Sequence, residues 1–300
     1  MRTALLGFIV LTIAAGCGTP AGCAPVGSGD LFYTRYAGTP NVEEVHYKYD
    51  HGKLTLGKPK MIATLVGVDG IAFAPDGDLL VGGQGNLVHK VHVSNGKSTD
   101  ASSGGPNAYH VVVDPGGKKA WVSGIPGSLA EVPLNPFGKG TRRELKGDDT
   151  AVTTLAWDGS GNAFYTSSGA DGTGSFGRID MRTLTTRRAL TAQPGLHGMA
   201  FDRYTGLLVT FGGNLVLQID PKTAKVVSRV QVPGSVTLDQ GTVNGQGYVY
   251  VASNNGQLVF IDYSRSKRVG DKANALVVVD LEPNLDDVAP LTGPGSEPCK

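Results

Sequence analysis

The sequence predicts an all-β chain folded as a six-bladed propeller, and three observations predict it. A unit of short strands recurs with a period in the low forties. Residues that make tight turns are abundant, and no segment carries the 3.6-residue apolar spacing of a helix. The two ends of the chain hold complementary parts of one further unit.

Each unit opens with a small or polar pair, a short apolar strand, often an Asp, and a Gly-rich turn. The openings are VDGIAFAPDG from Val68, YHVVVDPGG from Tyr109, TTLAWDGSG from Thr153, HGMAFDRYTG from His197 and DQGTVNGQG from Asp239. Second strands of β-branched and aromatic residues follow, such as LLVGG (79–83), LLVTFGG (207–213) and YVYVASNNG (248–256). Third strands alternate, as in NLVHKVHV from Asn86 and QLVFID from Gln257, and fourth strands include VVSRVQV (226–232). A small residue inside the first strand aligns the copies at Ala72, Val112, Ala156, Ala200 and Thr242, in steps of 40, 44, 44 and 42. That spacing with four strands is a propeller blade.

The ends complete the ring. Residues 285–293, LDDVAPLTG, repeat the opening, with Ala289 in the aligned position. LFYTRYAG from Leu31 reads as a second strand, EEVHYKY as a third and KMIATL as a fourth. One blade shared between the termini closes the wheel and removes exposed sheet edges. The expected organisation is residues 1–16 as a signal peptide, 17–29 as a tether, 30–293 as the propeller and 294–300 as a tail.

Composition narrows the function. The 300 residues carry a net charge of +1 and only 18% charged side chains, so there is no basic field for nucleic acid. With 40% hydrophobic residues the chain can bury a large core. Arg2 followed by the apolar run Ala4 to Ala15 is a signal-peptide core too short to span a bilayer. Ala14-Ala15-Gly16-Cys17 resembles the bacterial lipobox, with Ala14 where leucine is commoner. That resemblance implies lipid on Cys17, a membrane partner and a place in the bacterial cell envelope; ordinary cleavage between Ala21 and Cys23 is the alternative. Cys23 and Cys299 then remain, one at each end of the mature chain. In an oxidising compartment they can pair across the shared blade, or stay as two thiols.

Segments such as GIAFAPDGDLLVGGQGNLVHKV and HGMAFDRYTGLLVTFGGNLVLQIDPKTAKVV resemble the NHL and streptogramin-lyase-like propeller repeats. The resemblance runs over roughly residues 30–293 and implies the architecture. Streptogramin lyases have seven blades and use a histidine late in the chain, whereas this chain counts six and has no His after His197. Transfer of lyase activity therefore fails on the expected base.

In a propeller the first strand of each blade lines the channel. Aligning the copies places Asp69, Tyr109, Thr153, His197, Asp239 and Asp286 in one ring at a mouth. Gly70, His110, Thr154, Gly198, Gln240 and Asp287 form the next. Converging carboxylates need a cation, a shared proton or screening water. Asp69, Asp239, Asp286 and His197 are the candidate ligands for one divalent cation, Ca²⁺, Mg²⁺ or Mn²⁺, with Zn²⁺ if fewer groups engage. The alternative is that these groups bond backbone amides and channel waters.

Two functions follow. The first is a binding or interaction scaffold whose partner is an envelope protein or a small molecule. The second is a metal-dependent lyase or lactone hydrolase with His197 or His110 as general base and Tyr109 as acid. Elsewhere, His89 and His92 point to opposite faces of a strand, and Trp121 and Trp157 read as core. The loop 167–175 reads as a long exposed turn able to rim the channel. No serine-nucleophile motif, phosphate loop or paired CxxC occurs.

Overall fold

The computed structural model describes residues 27–105, 107–168 and 173–289. Among them every regular element is a strand, and no helix is long and apolar enough to cross a membrane. The signal segment, Cys17, Cys23 and Cys299 lie outside the described residues.

Six sheets form six blades, antiparallel throughout except for the short outer strand Lys146–Gly147, which runs parallel to Thr185–Pro194. The inner strands are Val68–Phe73, His110–Val113, Thr154–Trp157, Gly198–Asp202, Leu238–Val243 and Leu285–Ala289, which number the blades 1 to 6. Each inner strand packs beside the inner strand of the next blade, and blade 6 returns to blade 1. The shared blade is built as expected. Leu285–Ala289 pairs with Ser28–Arg35 in the register Phe32 to Ala289, Tyr33 to Val288 and Arg35 to Leu285. Arg35 Nε donates to Pro283 O at 3.0 Å, and Tyr36 N donates to Asn284 O at 3.0 Å. One detail differs. The outer edge of blade 6 is divided, with Lys53–Leu56 and Lys60–Ala63 both pairing with Val42–Asp50.

Burial explains the pattern of each strand. Second strands such as Leu79–Gly83, Leu207–Gly212 and Tyr248–Ser253 are buried at every position, so they read as continuous apolar runs. Outer strands such as Val226–Gln231 meet solvent and mix valines with polar residues, leaving Val226 and Val227 exposed. The apolar cores lie between neighbouring blades. One joins Leu31, Tyr33 and Tyr47 of blade 6 to Tyr250 and Phe260 of blade 5.

The Asp that recurs at the end of several inner strands makes the turn below it. Asp114 Oδ1 accepts from Lys118 N and Lys119 N, both at 2.9 Å, and Asp158 Oδ1 does the same for Ser160 N and Asn162 N. Asn244 takes this place in blade 5, accepting from Gln246 N and Tyr248 N. These turns mark the lower mouth of the channel. The upper mouth is where the inner strands begin.

Glycine is required where blades nearly touch. Gly70 N donates to Tyr109 O at 2.8 Å, and a Cβ on Gly70 would sit 2.8 Å from that oxygen. Blades 1 and 2 therefore meet backbone to backbone at the level of the predicted site.

Candidate functional site

The inner-strand openings do converge, and they fill the upper channel with paired polar groups. His197, just before the inner strand of blade 4, places Nε2 2.7 Å from Asp239 Oδ1 of blade 5. Its Nδ1 lies 2.6 Å from Ser168 Oγ of blade 3. The rings of His197 and His110 meet edge to face with centroids 5.6 Å apart. His110 Nδ1 lies 3.8 Å from Asp69 Oδ1 and accepts from Gln240 Nε2 at 3.2 Å. Blades 2 and 5 face each other across a wheel of six, so the His110–Gln240 bond bridges the channel and floors the upper site.

Charge in this cluster is settled by burial and pairing. The carboxyls of Asp69 and Asp286 face each other, and a proton on Asp286 lets it donate to Asp69. Burial, then the charge of Asp239, pushes Asp69 up to about 7. Burial, then repulsion from Asp69, Asp239 and Asp287, holds Asp286 well above the carboxylate range. Burial also raises Asp287, against the pull of two amides: Oδ2 accepts from Ile71 N at 2.9 Å and Oδ1 from Val288 N at 2.7 Å. Burial opposes charge on His197, but the Asp239 contact prevails and raises its pKa. Asp239 mirrors this: burial pushes it up, and His197 brings it below its ordinary value. His110 is held down to about 4 by burial and then by the charge of His197, so it is neutral at pH 7.

Two predicted members stand apart. The ring of Tyr109 packs over Gly124 of its own blade, where a Cβ would lie 2.5 Å from Tyr109 Cδ2. Thr153 joins only through Ser168: its Oγ1 accepts from Ser168 N at 2.9 Å and lies 3.1 Å from Ser168 Oγ. Ser168 itself was hidden in a Gly-rich stretch that reads as an exposed turn. The usable signal was register, since Thr166 pairs with Thr154 and Ser168 follows two residues on, at the mouth.

The donors suit a hard cation by chemistry, and Asp239 Oδ1 and Asp286 Oδ2 are buried without an aligned hydrogen-bond donor. Among the described residues no three His, Cys, Asp or Glu side chains converge, as they stand, to hold a metal ion. The carboxylates relieve their repulsion by the shared proton and the imidazole contact.

Below the His110–Gln240 floor the channel opens into a cavity of about 310 Å³ that the sequence reading did not anticipate. His110, Gln240 and Asp287 form its end, and Ile71, Met199, Phe201 and Trp157 stand on its walls. The small residues of the repeat, Ala72, Val112, Ala156, Ala200 and Thr242, also line it, and their size leaves it open. Trp121 is core at 3% exposure, whereas Trp157 is half-buried and faces this space. A larger groove of about 530 Å³ runs past Arg178, Arg182 and Arg187 of blade 3, and no inner strand lines it.

Fold and channel define a six-bladed β-propeller whose axis is polar above and apolar below. Solved structures share this fold. The chain is similar to hydrazine synthase of Kuenenia stuttgartiensis, with a TM-score of 0.60 and 15% identity over 96% of this chain and 94% of that one. It is also similar to regucalcin, a calcium-binding protein of Agrobacterium tumefaciens, with a TM-score of 0.55 and 13% identity over 77% and 79%. No family profile matches the sequence, and no curated protein does. At these identities the likeness is one of fold.

Proposed function

We propose that this propeller is a lipid-anchored binding protein of a bacterial cell envelope that takes a small, mainly apolar molecule into its lower channel. The cavity carries this reading. Its volume lies at the lower end of small-molecule sites, and apolar walls with a few convergent polar groups are the usual composition of such sites. A ligand would present a hydrogen-bonding end to Gln240, His110 and Asp287 and lay its apolar part against Trp157 and Phe201.

The tether supports the setting. Ser28–Arg35 runs from the lower face upward, so Gly27 leaves the propeller on the side where the cavity opens. Lipid on Cys17, ten residues earlier, would hold that mouth within about 35 Å of a bilayer. Acyl labelling and detergent partition of wild type and Cys17→Ala test the anchor; a variant that still partitions with detergent refutes it. For the site, 1-N-phenylnaphthylamine titrated into wild type and Ala200→Phe is the test. Saturable one-to-one binding that weakens at least about tenfold in the filled variant is expected. Equal binding by both proteins removes the channel from the reading.

A divalent cation at the upper mouth is the second reading, favoured by the two buried oxygens without donors and by the calcium-binding neighbour. Asp69, Asp239, Asp286 and His197 would hold it, and it would have to displace the proton between Asp69 and Asp286. Metal analysis after dialysis against Ca²⁺, Mg²⁺ or Mn²⁺ decides it: less than stoichiometric metal, or metal that survives Asp69→Asn with Asp239→Asn, rules it out.

A further inference from the structure

We infer that Ser168, His197 and Asp239 form a nucleophile, base and carboxylate relay at the upper mouth, able to transfer the acyl group of a neutral carboxylic ester to water. The three side chains come from three consecutive blades, so no local motif announces them. Such constellations are recognised by geometry and role. Ser168 Oγ lies 2.6 Å from His197 Nδ1, and the opposite ring nitrogen, Nε2, lies 2.7 Å from Asp239 Oδ1. In the neutral form of the ring, the nearby carboxylate favours the single proton on Nε2. That form turns the Nδ1 lone pair toward the serine hydroxyl, as a general base requires.

The surroundings hold both partners still. His197 N donates to Phe211 O at 2.8 Å, and Thr166 Oγ1 donates to His197 O at 2.5 Å. Ser168 N donates to Thr153 Oγ1 at 2.9 Å, which ties the end of its strand to the neighbouring inner strand. The pair is nevertheless reachable: Ser168 is half-buried and the His197 side chain is 28% exposed. Asp69, Asp286 and Asp239 crowd the same mouth, so an anionic ester would be repelled and a neutral one admitted.

The chemistry balances without an oxidant or a metal. Ser168 Oγ bonds to the ester carbonyl carbon as its proton passes to His197 Nδ1. The resulting tetrahedral adduct breaks its bond to the leaving oxygen, which departs as the alcohol with the proton from Nδ1. Water then bonds to the acyl carbon and gives its proton to Nδ1. The bond to Oγ breaks, Oγ recovers the proton, and the carboxylic acid leaves. The relay lies across the His110–Gln240 floor from the cavity, so it stands whether or not the cavity binds a ligand.

The test treats purified folded protein with a fluorophosphonate probe, maps the adduct by mass spectrometry and follows p-nitrophenyl butyrate hydrolysis. A single adduct on Ser168 is expected, with hydrolysis falling at least about a hundredfold in Ser168→Ala. Asp239→Asn should keep Ser168 in place and slow labelling at least about tenfold. Wild-type protein that gains no adduct at Ser168, or hydrolysis that persists at the wild-type rate in Ser168→Ala, overturns the assignment. The labelling arm needs no variant to fold.

Discussion

Replacing Asp69 by Asn should make the propeller more stable at pH 8 and leave its stability near pH 4 almost unchanged. The carboxyl is 7% exposed, faces Asp286 and is pushed from 3.8 up to about 7 by burial and then by Asp239. A carboxyl whose folded pKa exceeds its unfolded one stabilises the fold below the unfolded value, and that contribution is lost as pH rises through the folded value. The gap is about three pH units, and each unit is worth about 1.4 kcal/mol, so ionising Asp69 in the folded chain costs at most about 4 kcal/mol. Asn keeps a neutral side chain whose Oδ1 can still accept from Asp286, and it escapes that cost. His110 works in the opposite direction over part of the same window, because it is held down to about 4 by burial and the charge of His197. It is common to both proteins, so the difference between them isolates Asp69. Urea unfolding of both at several pH values from 4 to 8.5 reads the effect. The variant should gain roughly 1.4 kcal/mol per pH unit between about 4 and 7, and then hold its lead. A difference that does not widen across that window, or a variant weaker than wild type at pH 8, would show that burial does not hold the Asp69 carboxyl above its ordinary range.

Other perturbations address packing and the bridge. In Gly82→Ala the new Cβ would lie 2.2 Å from Ala108 O and 2.4 Å from Tyr109 O, both backbone atoms of the next blade. Blades 1 and 2 must then separate, and a loss of about 3 kcal/mol should appear in the urea midpoint. Tyr165→Phe removes the 2.6 Å hydrogen bond from a fully buried hydroxyl to Asp149, which should cost about 2 kcal/mol in the same assay. Gln240→Leu takes the donor from His110 Nδ1 and should lower stability by about 1–2 kcal/mol; an unchanged Tm would mean the channel bridge contributes nothing.

The strand units and their spacing were legible because sheet side chains alternate and turns demand particular residues, both of which repeat along the chain. The Asp that often follows an inner strand, read first as part of a rhythm, is the side chain that closes the lower turn in blades 2 and 3. The shared blade was legible for the same reason, since a lone opening at Leu285 and a lone second strand at Leu31 each lack the partner the other supplies. Alignment of the openings also placed Asp69, His110, His197, Asp239, Asp286 and Asp287 near one another. Tyr109 turns its ring onto Gly124, because a ring position fixes where a Cα stands and leaves the side chain free to choose its neighbour.

By itself the sequence determined the number of blades, the closure of the wheel and the acidic, histidine-bearing character of one mouth, all properties of periodic position. The tertiary structure alone decided which carboxyls share a proton, that His110 reaches Gln240 across the axis, that Trp157 faces a cavity and that Ser168 meets His197. Those contacts join residues from different blades. Distances across a channel depend on how closely the blades approach and which way each side chain turns, and neither is periodic along the chain.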